Sequence, residues 1–120
     1  MSKYGEALGK WELRVGGFDK DLRPQQGDNL KLMRLMTEAK KRNDEAWMLE
    51  QVGNFVKELI KRDYPPLNKV EEDELNMYIE FNIVALMTEL MIAFRWSTRE
   101  QMEKLNEPDI KKAMLQVGKV

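Results

Sequence analysis

Residues 77–94 read MYIEFNIVALMTELMIAF. Whether this run crosses a membrane or passes through the core of a folded domain decides the architecture. A spanning helix needs about 20 residues with almost no charge. Glu80, Asn82 and Glu89 interrupt this one, so it reads as a core helix and no membrane contact is expected. These polar residues, with Thr88, do not gather on one face at about 100° per residue. A helix that is apolar nearly all round is central, with neighbours on several sides. Those neighbours come from its own chain or from another subunit. Just upstream, Asn68 with Glu71 forms a capping-box start. The run EEDE (71–74) sets its carboxylates in the first turn, where the helix dipole favours them. The pattern predicts one central apolar helix over about 70–95.

Other elements are placed outward from this rod. On its N-terminal side, Met48, Val52, Phe55, Val56, Leu59 and Ile60 recur at helical spacing, and this helix begins at Asn43 or Asp44 and ends near Asp63. Gly53 inside it costs about 1 kcal/mol against Ala, or permits a close helix approach. DYPPL (63–67) ends it, because proline donates no amide and pushes the preceding residue out of the α region. Before that, Asp28 is the expected N-cap of a helix over about 28–42, with Leu32, Leu35, Met36 and Ala39 as its buried stripe. KWELRVGGFDKDLRP (10–24) reads as a β-hairpin over about 11–23. Trp11, Leu13 and Val15 alternate with polar residues, and Gly16-Gly17 supplies a two-residue turn. A lone hairpin is marginal in water, so its apolar face is expected to lie on helices. Residues 1–9 read as a flexible start.

Beyond the rod, Trp96 ends the helix and Ser97 with Glu100 suggests the capping box of a short helix. Pro108 suits the first turn of a last helix carrying Ile110, Ala113, Met114 and Val117 on one stripe. The expected fold is therefore mainly α: a single domain over 1–120, with four to five helices around a central apolar helix and a small N-terminal β-hairpin.

Composition narrows the chemistry. The chain has 120 residues, 42% hydrophobic and 34% charged, with a net charge of −1. Such a balance gives no whole-protein field to attract nucleic acid or an anionic membrane. There is no cysteine and no histidine, which removes thiolate chemistry, the commonest general base and the commonest transition-metal ligand. No nucleophile-elbow, P-loop, dinucleotide-binding or EF-hand motif is present. Asp63 beside Tyr64, or the EEDE cluster, suits helix-end electrostatics better than an ordered cation site, which needs converging ligands. No enzyme, no metal and no cofactor is expected.

Two binding readings remain. Residues 86–105 have the spacing of a helix-turn-helix, in which Arg99, Gln101 and Lys104 would face DNA. Glu100 and Glu103 oppose that role, and residues 97–120 are close to neutral, whereas affinity for DNA rests on phosphate neutralisation. The alternative reading is a protein-binding module. Nine methionines are many for this length, and flexible, polarizable Met lines grooves that accept varied helices, although it is also ordinary core filler. Trp47 lies about 100° off the Met48–Ile60 stripe and is a candidate interface anchor.

The order of these signals resembles a known family. A short hairpin ends in VGGFDKDLRP (15–24), a helix pair follows, then FVKELIKRDYPPLNKVEEDEL (55–75), then a long apolar helix closing on AFRWSTRE (93–100). This layout, over roughly residues 8–105, is similar to that of the small tail assembly chaperones of long-tailed bacteriophages and archaeal viruses. The resemblance implies a non-enzymatic protein of the host cytoplasm that binds the tape measure protein during tail assembly. It also implies help in recruiting tail tube subunits, and absence from the finished virion. A partner helix would be held by an apolar, adaptable groove. Met87, Met91 and Trp96 are the residues expected to form one wall, with Trp47 as the outside candidate. A structural protein retained in a virion, or a homo-oligomer, is the third option.

Overall fold

Met48, Val52, Phe55, Val56, Leu59 and Ile60 all lie buried on one side of a nineteen-residue helix, as their spacing predicts. The computed structural model describes residues 11–15, 18–22, 27–63 and 68–117, and the side chains of 27–62 and 68–117. Among the described residues the chain is mainly helical. The helices are α1 (Asp28–Arg42), α2 (Glu45–Asp63), α3 (Lys69–Phe81), α4 (Ile83–Ala93), α5 (Arg99–Glu103) and α6 (Glu107–Gln116). The hairpin expected over about 11–23 falls where only backbone is described. Strands β1 (Trp11–Val15) and β2 (Phe18–Leu22) are antiparallel neighbours, with Val15 across from Phe18. Their turn and side chains, the stretch 1–10 and residues 64–67 lie outside the described residues.

Local chemistry sets most helix ends. Asn68 accepts from the Glu71 amide at 2.8 Å and Glu71 accepts from the Asn68 amide at 3.3 Å, the expected capping box at the start of α3. Asp44 Oδ1 accepts from the Trp47 amide at 3.0 Å ahead of α2. Asn43 closes α1 in the left-handed region at φ 50°, which Asn tolerates better than most residues. Two expected caps are displaced. The N-cap of α1 is Gly27, at φ 93°, not Asp28. Asp28 sits inside the first turn, buried, because both its oxygens accept from Arg62 at the end of α2, at 3.0 and 3.1 Å. The short helix α5 is capped one residue later than expected. Thr98 and Gln101 form the reciprocal pair, at 3.1 and 3.0 Å, in place of Ser97 and Glu100.

The single rod over 70–95 is corrected by the structure. It is two helices, α3 and α4, meeting at 83°. Asn82 leaves helical geometry at φ −121°, ψ 20°, and its side-chain amide donates to the Tyr78 carbonyl at 2.9 Å. Asn competes with the helix for its own backbone groups, which makes it a ready point of interruption. Packing then makes the break favourable. Beyond it, α4 buries Leu86, Met87, Leu90 and Met91 and packs against α2 and α6, while α6 also packs on α1. Before it, α3 buries only Leu75 and Ile79, against α2. The central helix is thus 83–93, and α3 is a peripheral arm. Among the described residues no single helix is long and apolar enough to cross a membrane.

The end of α4 is a Schellman turn. Arg95, at φ 61°, donates its amide to the Ile92 carbonyl at 3.0 Å, and Trp96 donates to the Met91 carbonyl at 2.9 Å. This turn swings the Trp96 ring onto Phe94, at 5.7 Å between centroids, and Phe94 meets Phe55 edge-on at 6.3 Å. The last helix has Pro108 in its first turn as expected, and of its expected stripe Ile110 and Met114 are buried while Ala113 and Val117 are half-buried; its cap is Asn106, whose side chain accepts from the Asp109 amide.

Candidate protein-binding surface

Gly53 brings α2 and α3 together. A Cβ at this position would stand 3.1 Å from Cγ2 of Ile79, so glycine allows an approach at which even a methyl group would require Ile79 to give by a few tenths of an ångström. On one side of this contact the helices leave an open groove. Its first part, about 320 Å³, has Leu49, Gly53, Ile79 and Ile83 on its floor. A second part, about 350 Å³, shares Leu49, Glu80 and Ile83 with the first and continues around the bend past Phe81 and Val84 to Glu107 and Lys111 of α6. The floor is apolar and the rim is charged.

The rim charges are not balanced. Lys57 is held by Glu72 at 3.1 Å, and Lys111 lies 3.6 Å from Glu45. Lys61 also binds Glu72, at 2.8 Å, and these two ammonium groups, Lys61 first, hold the Glu72 carboxyl below its ordinary pKa. The basic residues are therefore answered from within the chain. The side chains of Glu50, Glu80 and Glu107 form no hydrogen bond or ion pair among the described residues.

Beyond Glu80 the surface of α3 carries an apolar stripe. Val70, Met77 and Phe81 are 66, 56 and 77% exposed. Among the described residues these are three of the four large apolar side chains left in solvent, so the apolar exposure is concentrated on one helix. At about 100° per residue the three fall within about 20° of one line. Asp73 and Glu80 border the stripe on one side and Glu74 on the other.

The residues expected to form a groove wall are distributed differently. Met87 and Met91 are 0 and 1% exposed. They are core, because the bend at Asn82 turns α4 inward between α2 and α6, and the expectation of an open wall at these two positions is corrected. Trp96 is half-buried, and its indole N–H donates to Asn29 Oδ1 at 2.7 Å, tying the end of α4 to the start of α1. Trp47 is half-buried against the core, with the Arg42 guanidinium 4.4 Å from its ring centre. The structure does not bring these four together at an opening.

The DNA-reading positions are placed as follows. Arg99 donates through both guanidinium nitrogens to Glu89 of α4, at 3.0 and 2.9 Å, which holds its pKa above the ordinary value. Gln101 spends its side-chain oxygen on the Thr98 amide. Lys104 is exposed beyond α5, which has five residues, little more than one turn.

The sequence reading missed Val70, Met77 and Phe81 as exposed residues. The signal was present in the helical projection of 77–94. Glu80, Asn82, Thr88 and Glu89 scatter around a single axis because two axes carry them. Comparison with protein-family models, with curated proteins and with solved structures finds no match to this chain.

Proposed function

We propose that this protein is a non-catalytic tail assembly chaperone that binds helical segments of a tape measure protein in the host cytoplasm. The observation that carries the reading is the exposed Val70–Met77–Phe81 stripe beside an apolar groove, on a helix that the core does not need to cover. A stripe of this kind rimmed by polar residues is a usual mark of an interaction surface. Helix-in-groove recognition uses anchors at such spacing, and methionine adapts to varied partners. The layout of hairpin, helix pair and apolar helix adds the family resemblance, and recruitment of tail tube subunits belongs to the same proposal. So does an apolar hairpin face (Trp11, Leu13, Val15, Phe18 and Leu22) resting on the helices.

The helix-turn-helix reading carries less support. Arg99 is already engaged by a carboxylate, and phosphate binding would have to displace Glu89.

The test is binding of purified chain to overlapping helical segments of the tape measure protein encoded in the same viral genome, read by co-elution and calorimetry. At least one segment is expected to bind, and Phe81→Asp is expected to release it while leaving the helical circular dichroism intact. Failure of every segment to bind would remove the proposal. Tight binding to duplex DNA that falls steeply with added salt would replace it with the regulator reading.

A further inference from the structure

The apolar stripe on α3 is bordered by carboxylates that no group among the described residues answers. Asp73, Glu74 and Glu80 are exposed, and their side chains form no hydrogen bond or ion pair among the described residues. Glu50 and Glu107 extend the same charge along the groove on the Glu80 side. The only cation on α3 is Lys69, at its first turn. The chain as a whole is nearly neutral, so this face is a local concentration of negative charge around an apolar line.

We infer that the outer face of α3 docks an amphipathic helix whose apolar stripe is flanked by lysine or arginine. The Val70, Met77 and Phe81 side chains supply the apolar contact, over about three turns or roughly 16 Å of helix. Asp73 and Glu80 on one side, and Glu74 on the other, receive cations from both flanks of the partner. Charge of this arrangement acts mainly on partner choice and on the rate of encounter. It also decides against a second copy of this chain as the occupant through α3 itself. Two α3 faces brought together would set these carboxylates against their own counterparts, which is unfavourable.

This inference rests on the proposed helix-binding role of the surface and adds the chemistry of the partner. The test uses the intact chain and two synthetic peptides of about 14 residues. One has a leucine stripe flanked by lysine, and its twin has glutamate at every lysine. Binding is read by calorimetry at low and at physiological salt. The lysine peptide is expected to bind at least about ten-fold more tightly than its twin, with the gap narrowing as salt rises. The double variant Glu74→Lys/Glu80→Lys is expected to narrow or reverse that preference. Phe81→Ser is expected to weaken binding of the lysine peptide, which separates docking on the stripe from general attraction between opposite charges. All of these substitutions are at exposed positions, and unchanged circular dichroism shows that the fold is kept. Equal affinity for the two peptides, no binding of either, or a lysine preference that survives both variants would overturn the inference. Self-association of the chain abolished by Phe81→Ser would overturn it in favour of a second copy. A tape measure segment that binds without regard to its charge would remove this inference and leave the chaperone reading standing. A lysine preference with no tape measure segment bound would do the opposite.

Discussion

Gly53 and Ile79 meet so closely that a methyl group on the glycine would stand 3.1 Å from Cγ2 of the isoleucine. This contact sets the distance between α2 and α3, and hence the depth of the groove beside it. Helix propensity alone favours Gly53→Ala by about 1 kcal/mol. Because Ile79 must yield by a few tenths of an ångström, the substitution is expected to gain less than that. Gly53→Val adds bulk at the same point and is expected to cost about 1–3 kcal/mol. Urea unfolding of the two variants checks both values, and a full gain from alanine would mean that the helices are further apart.

The two methionines on either side of Asn82 make opposite predictions. Met87→Ala empties a fully buried position and is expected to cost about 2–5 kcal/mol. Met77→Ala, at a side chain 56% exposed, is expected to change stability by no more than about 0.5 kcal/mol. The same variant should weaken binding of a helical partner. If a continuous rod carried both residues in one environment, thermal denaturation would show similar losses for the two.

Asp28 and Arg62 join the start of α1 to the end of α2 through two hydrogen bonds. Asp28→Asn keeps the shape and removes the negative charge that faces the partly buried guanidinium. The expected cost is about 1–3 kcal/mol, measured by chemical denaturation. Arg62 keeps some solvent access, with 31% of its side chain exposed, so the loss falls short of that for a fully buried pair.

Glu72 gives the chain a pH dependence with a definite sign. Lys61 and Lys57 lower its pKa from the ordinary 4.5. The unfolded chain therefore binds a proton at higher pH than the folded one, and the contribution to stability is present above about pH 4.5. It fades as the pH falls below that value through the depressed folded pKa. Glu72→Gln is expected to flatten this part of the stability profile, read as melting temperature against pH. An unchanged acid limb in the variant would show that the two lysines do not hold the carboxylate in solution.

Legibility of the fold followed the range of the interactions. The Asn68–Glu71 cap and the buried stripe of α2 depend on residues three or four positions apart, so the helical period alone exposes them. The shift of the α5 cap from Ser97 to Thr98 shows the limit of that method. Two adjacent hydroxyl residues offer equivalent caps, and the path out of the Arg95 turn chooses between them. On the candidate surface, the adaptable-methionine argument led to Met87 and Met91, while the exposed apolar residues are Val70, Met77 and Phe81. Composition could not separate them, because methionine fills cores and lines surfaces equally well.

By itself the sequence determined a mainly helical chain, with the buried stripes of α1, α2 and α6 and most helix ends. Those follow from backbone geometry and from hydrogen bonds reached within one turn. Only the tertiary structure decided that the apolar run bends at Asn82, which half of it is sealed, and that Asp28 and Asn29 serve Arg62 and Trp96, 34 and 67 residues away. The physical reason is that burial is settled by which neighbours arrive. A rod that is apolar on all sides has no preferred face until α2 and α6 cover one part of it and leave the other in water.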